Sequence, residues 1–262
     1  MLKYYEGTVF NTDADVLVNA VNCFGIMGSG IALEFKLRYP DMFLEYMDMC
    51  KRNEYKVGKP CLHIGKDKQI LNFPTKNHWK TPSKIEWIEE GLKYFSYNYR
   101  KAGIKSIAFP KLGCGNGELK WEEVKPLMEK YLLNLVDIQI IICLDELNQA
   151  EGVEKKMTEN LNSMPFELLN QKLKINKKQS KAIKKELPIE RFWMLNKLPG
   201  IGEKTYEKLF KYFYSNCNSE SIDNAVSLEQ LSLFECGNEK NIKEKYKREG
   251  RIENENNSKR IL

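Results

Sequence analysis

Residues 14–35 read ADVLVNAVNCFGIMGSGIALEF. The opening aliphatic run, Val16, Leu17, Val18 and Val21, lacks polar alternation, the pattern of a short strand buried on both faces. A loop carrying Gly25, Gly28 and Gly30 follows, and residues 31–39 then take helical spacing. Residues 104–109 (IKSIAF) repeat the plan: they lead into PKLGCGNG and a second helix over residues 121–133. Residues 70–73 and 138–144 read as further buried strands, and residues 3–10 and 60–64 as edge strands. Helices are expected at residues 42–51, after Pro40, and at 82–101, where Ser83 can cap and Gly103 can stop the helix. Strands alternating with helices predict a three-layer α/β/α domain on a mixed sheet, with ligands at the carboxyl ends of the strands.

The chain has 262 residues, a formal charge of +6 and 42% hydrophobic side chains, enough for one large domain or two ordinary ones. No apolar run approaches the ~18 residues of a membrane span and the first residues lack a signal-peptide pattern, so a soluble cytoplasmic protein without a membrane partner is expected. Seven scattered cysteines without a C-x-x-C pair, and only His63 and His78 beside them, argue for reduced thiols and against a disulfide framework or a metal site.

Two strand–glycine loop–helix units on one sheet suit a diphosphate. Glycine lets main chain approach the ligand, and N–H groups at a helix start attract phosphate. Neither loop is a Walker A sequence or a dinucleotide fingerprint, because no Lys-Ser/Thr follows Gly30 and no acidic ribose partner stands at the required offset.

The string at residues 14–35, with NFPTKNHW at residues 72–79 and FPKLGCGNGELKW at residues 109–121, resembles the macrodomains, and among them the branch containing the DarG antitoxins. That resemblance covers residues 1–148 and implies an ADP-ribose ligand and removal of ADP-ribose from DNA, thymidine-linked in this reading, with a DarT-like toxin as partner and no cofactor. It implies that Lys76 is catalytic and that Asn22 lies beside the distal ribose. The loop from Gly25 through Met27, Gly28, Ser29 and Gly30 to Ile31 would wrap the distal ribose and phosphates. Pro110, Leu112, Gly113, Cys114, Gly115, Asn116 and Gly117 would complete the diphosphate cradle, with Asn19 and Thr75 beside it. Three positions depart from the family pattern. Thr8, followed by Val9, stands where an aspartate commonly meets the adenine, so adenine selection falls to a hydroxyl or main-chain groups. Gly117 stands where a related protein glycohydrolase has a catalytic aspartate. Ser29 replaces a frequent lysine.

Cleavage of an N-glycosidic bond to ADP-ribose passes through an oxocarbenium-like state at C1″. Lys76, near Phe73, Pro74 and Trp79, can attack that carbon if desolvation leaves its amine neutral, or hold the leaving base if it stays charged. Asn22 would orient ribose hydroxyls; the plainer alternative is that Asn19 and Asn22 only hold their loop. His78 and Trp79 are either a packed rim or a platform for a base of the DNA. Cys114 is expected to be an inert thiol.

Residues 1–150 carry 20 Lys and Arg against 19 Asp and Glu, whereas residues 167–211 alone carry 12 against 5. The positive excess therefore sits in the second part, a feature of polyanion partners that solvated lysine-rich helices share. Residues 151–163 read as a linker or an exposed helix, residues 164–247 as a small all-α domain with a basic helical stretch over residues 168–183, and residues 248–262 as a disordered tail. Residues 197–210 (KLPGIGEKTYEKLF) resemble a helix-hairpin-helix, in which Gly200 and Gly202 form the turn, Ile201 plugs the helices, and Lys204 and Thr205 face a DNA phosphate. Residues 228–246 could form a second, degenerate hairpin. The leading expectation is thus an ADP-ribosyl glycohydrolase acting on DNA. A non-catalytic ADP-ribose reader and a protein-directed hydrolase are the rivals.

Overall fold

The computed structural model describes residues 1–218. The proposed second hairpin at residues 228–246, the tail at 248–262 and the end of the helical domain at 247 lie outside the described residues. Six strands, β1 (Leu2–Tyr5), β2 (Val16–Asn22), β3 (Cys61–Ile64), β4 (Gln69–Lys76), β5 (Ser106–Pro110) and β6 (Gln139–Cys143), form one sheet in the order β1-β6-β5-β2-β4-β3. Every pairing is parallel except β3 with β4, so the sheet is mixed as expected. Helices α1 (Gly30–Arg38) and α2 (Pro40–Lys51) contribute to the core on one face, and α3 (Ile85–Asn98) and α4 (Trp121–Leu132) to that on the other. Pro40 begins α2, where its missing N–H costs nothing. Ser83 is not the cap of α3: Lys84 holds that position, and the Ser83 N–H instead donates to the Gly117 carbonyl.

The strand connections reverse direction between β2 and β5, the type of switch point where open α/β sheets hold ligands. Here β2 and β5 pair only at Val16–Ile107 and Leu17–Ala108. Beyond those residues the two strands part toward their carboxyl ends, and a crevice opens between the loops that follow them.

The stretch expected to be a linker or an exposed helix is helix α5 (Gly152–Ser163), which is not exposed throughout: it buries Met157, Thr158 and Leu161. It continues into α6 (Phe166–Leu173), α7 (Lys177–Glu186), a 3-10 turn (Phe192–Lys197) and α8 (Glu203–Asn218). The basic run over residues 168–183 is therefore two helices, broken at Lys174, which takes a left-handed conformation with φ 49°. Asn176 and Gln179 form a capping box that starts the second of them. The apolar faces of these elements share one core with Leu33 and Leu37 of α1, so the module is docked on the first domain. Arg38 sits in the seam, 4.3 Å from the Phe10 ring centroid and 5.0 Å from that of Tyr214, and Lys36 pairs with Glu203 at 3.2 Å and with Glu207. Among the described residues no helix is long and apolar enough to cross a membrane.

A second moor lies at the end of β6. The Arg191 Nε donates to both Glu154 carboxylate oxygens at 3.2 and 3.1 Å, its Nη1 to the Leu147 carbonyl at 2.8 Å, and its Nη2 to Asp145 at 2.9 Å. Arg191 and Glu154 are both buried, so removing the guanidinium strands a carboxylate without a counter-charge. Arg191→Ala is expected to cost about 3–5 kcal/mol of stability, read as a fall in Tm by calorimetry.

Candidate active site

The crevice between β2 and β5 is a cleft of about 1150 Å³, roomier than the ~300–1,000 Å³ of typical small-ligand pockets. Its walls include Thr8, Val9, Asn22, Gly28, Ser29, Gly30, Ile31, Thr75, Lys76, Trp79, Pro110 and the turn from Gly113 through Cys114, Gly115 and Asn116 to Gly117. Apart from Thr8 and Val9, which follow β1, these are residues read from three separate strings of the sequence, brought together because β2, β4 and β5 end at the same edge.

Lys76 closes β4. Its register partner across the parallel pair is Asn22, reached after a register shift at Val21. The Lys76 Nζ donates to the Asn116 main-chain carbonyl, and the Asn116 Nδ2 donates to the Ser29 hydroxyl at 3.0 Å. One asparagine thus ties the lysine and the first glycine loop to the second. Burial in the cleft lowers the Lys76 pKa from its ordinary value, with Glu118 opposing the shift; the neutral amine is correspondingly more accessible.

Asn22 lines the cleft, but its side chain first serves its own loop. Its Oδ1 accepts from the Phe24 N–H at 2.9 Å and from the Tyr46 hydroxyl at 3.2 Å, and its Nδ2 donates to the Ile26 carbonyl at 2.6 Å. The loop-holding alternative is therefore a correct description of Asn22, and one amide N–H remains for a ligand. Gly25, with φ +89°, turns the chain against Cys50 and is not among the cleft-lining residues. Asn19, Met27 and Leu112 are corrections as ligand-facing side chains, because all three are buried in the core. Asn19 donates to Asn72 at 2.9 Å, which makes it a polar tie between β2 and β4. Thr75 is buried under the cleft and donates to the Val21 carbonyl. The Cys114 thiol, pushed up to about 11 by burial, is protonated at neutral pH.

Gly117 explains the missing acid of the second loop. A Cβ there would come within 2.2 Å of the Gly113 carbonyl oxygen and 2.5 Å of the Ser83 hydroxyl. The turn closes on itself where a side chain would have to stand.

Beside Lys76 lies an aromatic rim. The Trp79 and His78 rings stack with centroids 5.8 Å apart, and Phe24 lies 4.4 Å from His78. Trp79 is 44% exposed and Phe24 57%, an outlay of open apolar surface that packing alone does not call for. Phe24 was not singled out from sequence; an aromatic residue between the Asn22 and Gly25 turn positions was the available signal.

In the second module, Gly200 has φ +85° and Ile201 is buried. The first arm of the expected hairpin is the 3-10 turn Phe192–Lys197 and not an α-helix, a departure from the expected pattern. Gly202 and Lys204 are exposed. Thr205 is half-buried, and the Gln179 Nε2 of α7 donates to its hydroxyl at 3.1 Å and to the Gly200 carbonyl at 2.9 Å. None of Gly200, Gly202, Lys204 and Thr205 lines the cleft. Among the described residues no cluster of three or more His, Cys, Asp or Glu could hold a metal ion.

The Macro domain family model matches residues 18–128. The DNA ADP-ribosyl glycohydrolase of Mycobacterium tuberculosis is 43% identical over 146 residues, which is 54% of this chain and 42% of that protein. The Thermus aquaticus protein of the same name is 38% identical over 144 residues, 53% of this chain and 40% of that protein. The chain therefore spans about two-fifths of the length of these curated relatives. Among solved structures, the macrodomain of Mycobacterium tuberculosis DarG superposes with a TM-score of 0.53 at 44% identity, covering 55% of this chain and 97% of that one. Thermosipho africanus DarTG in complex with ADP-ribose superposes with a TM-score of 0.53 at 38% identity, covering 59% of this chain and 44% of that one.

The closed turn at Gly117 yields a direct test. Gly117→Asp forces the Gly113 and Ser83 contacts apart and is expected to cost on the order of 1–3 kcal/mol, measured as a lowered urea midpoint with an unchanged m-value.

Proposed function

The chain belongs to the macrodomain family, and on that premise we propose that it hydrolyses the bond between ADP-ribose and a DNA base, as antitoxin to a DNA ADP-ribosyltransferase toxin. The observation that carries the reading is Lys76, which lines the cleft between two glycine loops with its Nζ held by the Asn116 carbonyl. Partial burial lowers its pKa in the direction a nucleophilic amine needs.

In this reading the diphosphate lies between the loops, against their main-chain N–H groups, and the distal ribose reaches Lys76. Asn116 positions the amine and the free N–H of Asn22 orients a ribose hydroxyl. The neutral Lys76 amine attacks C1″, the base departs with the bond electrons and takes the proton that the alkylated amine gives up, and water then displaces the lysine at C1″, leaving a hydroxyl on the ribose and returning a proton to the amine. A protein substrate is disfavoured because Gly117 leaves no place for an acid in the second loop.

The DNA meets the chain at two places. The rim of Phe24, His78 and Trp79 adjoins Lys76 and offers a stacking surface for the base to be released, worth about 1–3 kcal/mol per base. Farther off, exposed Lys177, Lys178, Lys181, Lys184 and Lys185 of α7 and Lys204 at the hairpin form a basic face for the phosphate backbone, binding without reading sequence.

The decisive experiment follows ADP-ribose release from an ADP-ribosylated DNA oligonucleotide and from an ADP-ribosylated protein. Release from DNA alone is expected, and the loss should be at least about 100-fold for both Lys76→Ala and Lys76→Arg, since arginine keeps the charge but offers no neutral amine. Full activity in Lys76→Ala would remove the hypothesis. The pH profile carries a sign: the neutral fraction of a lysine grows with pH, so kcat/KM should rise through a midpoint below the ordinary lysine value of 10.5. A rate falling over that range would assign Lys76 the role of a proton donor. Trp79→Ala should raise KM for the DNA substrate by about tenfold while leaving ADP-ribose affinity unchanged.

A further inference from the structure

The cleft has a wall that does not come from the first domain. Arg191, Trp193, Asn196, Lys197, Glu203 and Tyr206 of the helical module line it together with the glycine loops. Four of the cleft-lining side chains are Lys or Arg, and their pairing differs. Lys111 is bound to Glu146 at 3.1 Å, and Arg191 to Asp145 and Glu154. Lys76 is held by the Asn116 carbonyl. Lys197 has no carboxylate partner among the described residues; its Nζ instead lies 4.5 Å from the centroid of the Trp193 ring, and that ring is 37% exposed. The carboxylates on the same walls are already neutralised, Glu34 by Arg38, Glu203 by Lys36 and Asp145 by Arg191. An open indole carrying a cation without a carboxylate partner, in the same cleft as two loops of main-chain N–H groups, matches a nucleotide: a base to stack on and a phosphate to attract.

The sheet order says which end of the ligand this is. The segment before Trp193 is moored to the end of β6 through Arg191 to Asp145, and to α5 through the Phe192 N–H to Glu154. Lys76 ends β4, and β5 and β2 lie between β6 and β4. At least three strand spacings of about 4.8 Å, roughly 14 Å, therefore separate the moored end from Lys76. We propose that the helical module completes the nucleotide cleft, with Trp193 stacking on the adenine and Lys197 drawing the adjacent phosphate. This rests on the ADP-ribose reading above, and it makes affinity for the nucleotide depend on a module outside the α/β domain.

The test measures binding of ADP-ribose and of ADP to the full chain by calorimetry, for the unsubstituted protein, Trp193→Ala, Trp193→Phe and Lys197→Ala. Trp193→Ala is expected to weaken both ligands by about tenfold or more, because both carry the adenosine. Trp193→Phe should stay within about threefold and shows that loss is not misfolding. Lys197→Ala should cost about fivefold and flatten the salt dependence of binding. ADP-ribose affinity within twofold of the parent in Trp193→Ala overturns the proposal, as does a defect confined to turnover of ADP-ribosylated DNA, which would give this wall to the DNA. If the unsubstituted protein fails to bind ADP-ribose, the functional reading itself falls, and this inference with it.

Discussion

The parallel pairing of β2 with β4 is the constraint from which the site follows. Both strands are buried on both faces, so their register is set by the core, and the shift at Val21 brings Asn22 opposite Lys76 at their common carboxyl end. Asn19 and Asn72, buried and bonded to each other, lock that register from within. A one-residue slip would turn the aliphatic residues of β2 against the wrong layer. Because β5 pairs with β2 only over its first residues, the same edge is left open, and the two glycine loops face each other across the gap.

Given that gap, polar side chains decide its shape. Asn22 folds the first loop around its own carboxamide, and Asn116 crosses to Ser29 and Lys76 from the second. Both amides work by hydrogen bonding: they fix where the Lys76 amine and the first loop stand. The aromatic rim beside Lys76 and the indole of Trp193 are the open aromatic surfaces of this region.

The helical module is joined to the α/β domain by packing as well as by sequence. Leu33 and Leu37 of α1 belong to its core, Arg38 is sandwiched between Phe10 and Tyr214, and Arg191 is anchored under β6. The N-terminal half of the chain thus uses α1 twice, one face on the sheet and the other on the module. Its first turn also supplies Gly30 and Ile31 to the cleft, so docking of the module and shape of the cleft are mechanically linked.

Strand and helix order and the two glycine loops were legible from local pattern, because buried strands and turns are written in near neighbours; Lys76 stood out only through the resemblance of its N-F-P-T-K string. What the sequence could not show for residues 151–163 was that the helix packs, since its apolar residues are sparse and become meaningful only when α8 lies against them. Asn19, Met27 and Leu112 looked like loop-adjacent ligand residues, yet whether a side chain beside a loop turns to the ligand or to the core depends on which layer covers it. The sequence by itself determined the α/β alternation, the diphosphate-type loops and the position of the charge excess, because each is a property of contiguous residues. Only the tertiary structure decided that Asn116 spans both loops, that Gly117 excludes a side chain, and that Trp193 and Lys197 stand in the same cleft as Lys76. Those depend on contacts between segments tens to more than a hundred residues apart, brought together by the burial of their apolar faces and not by any local rule.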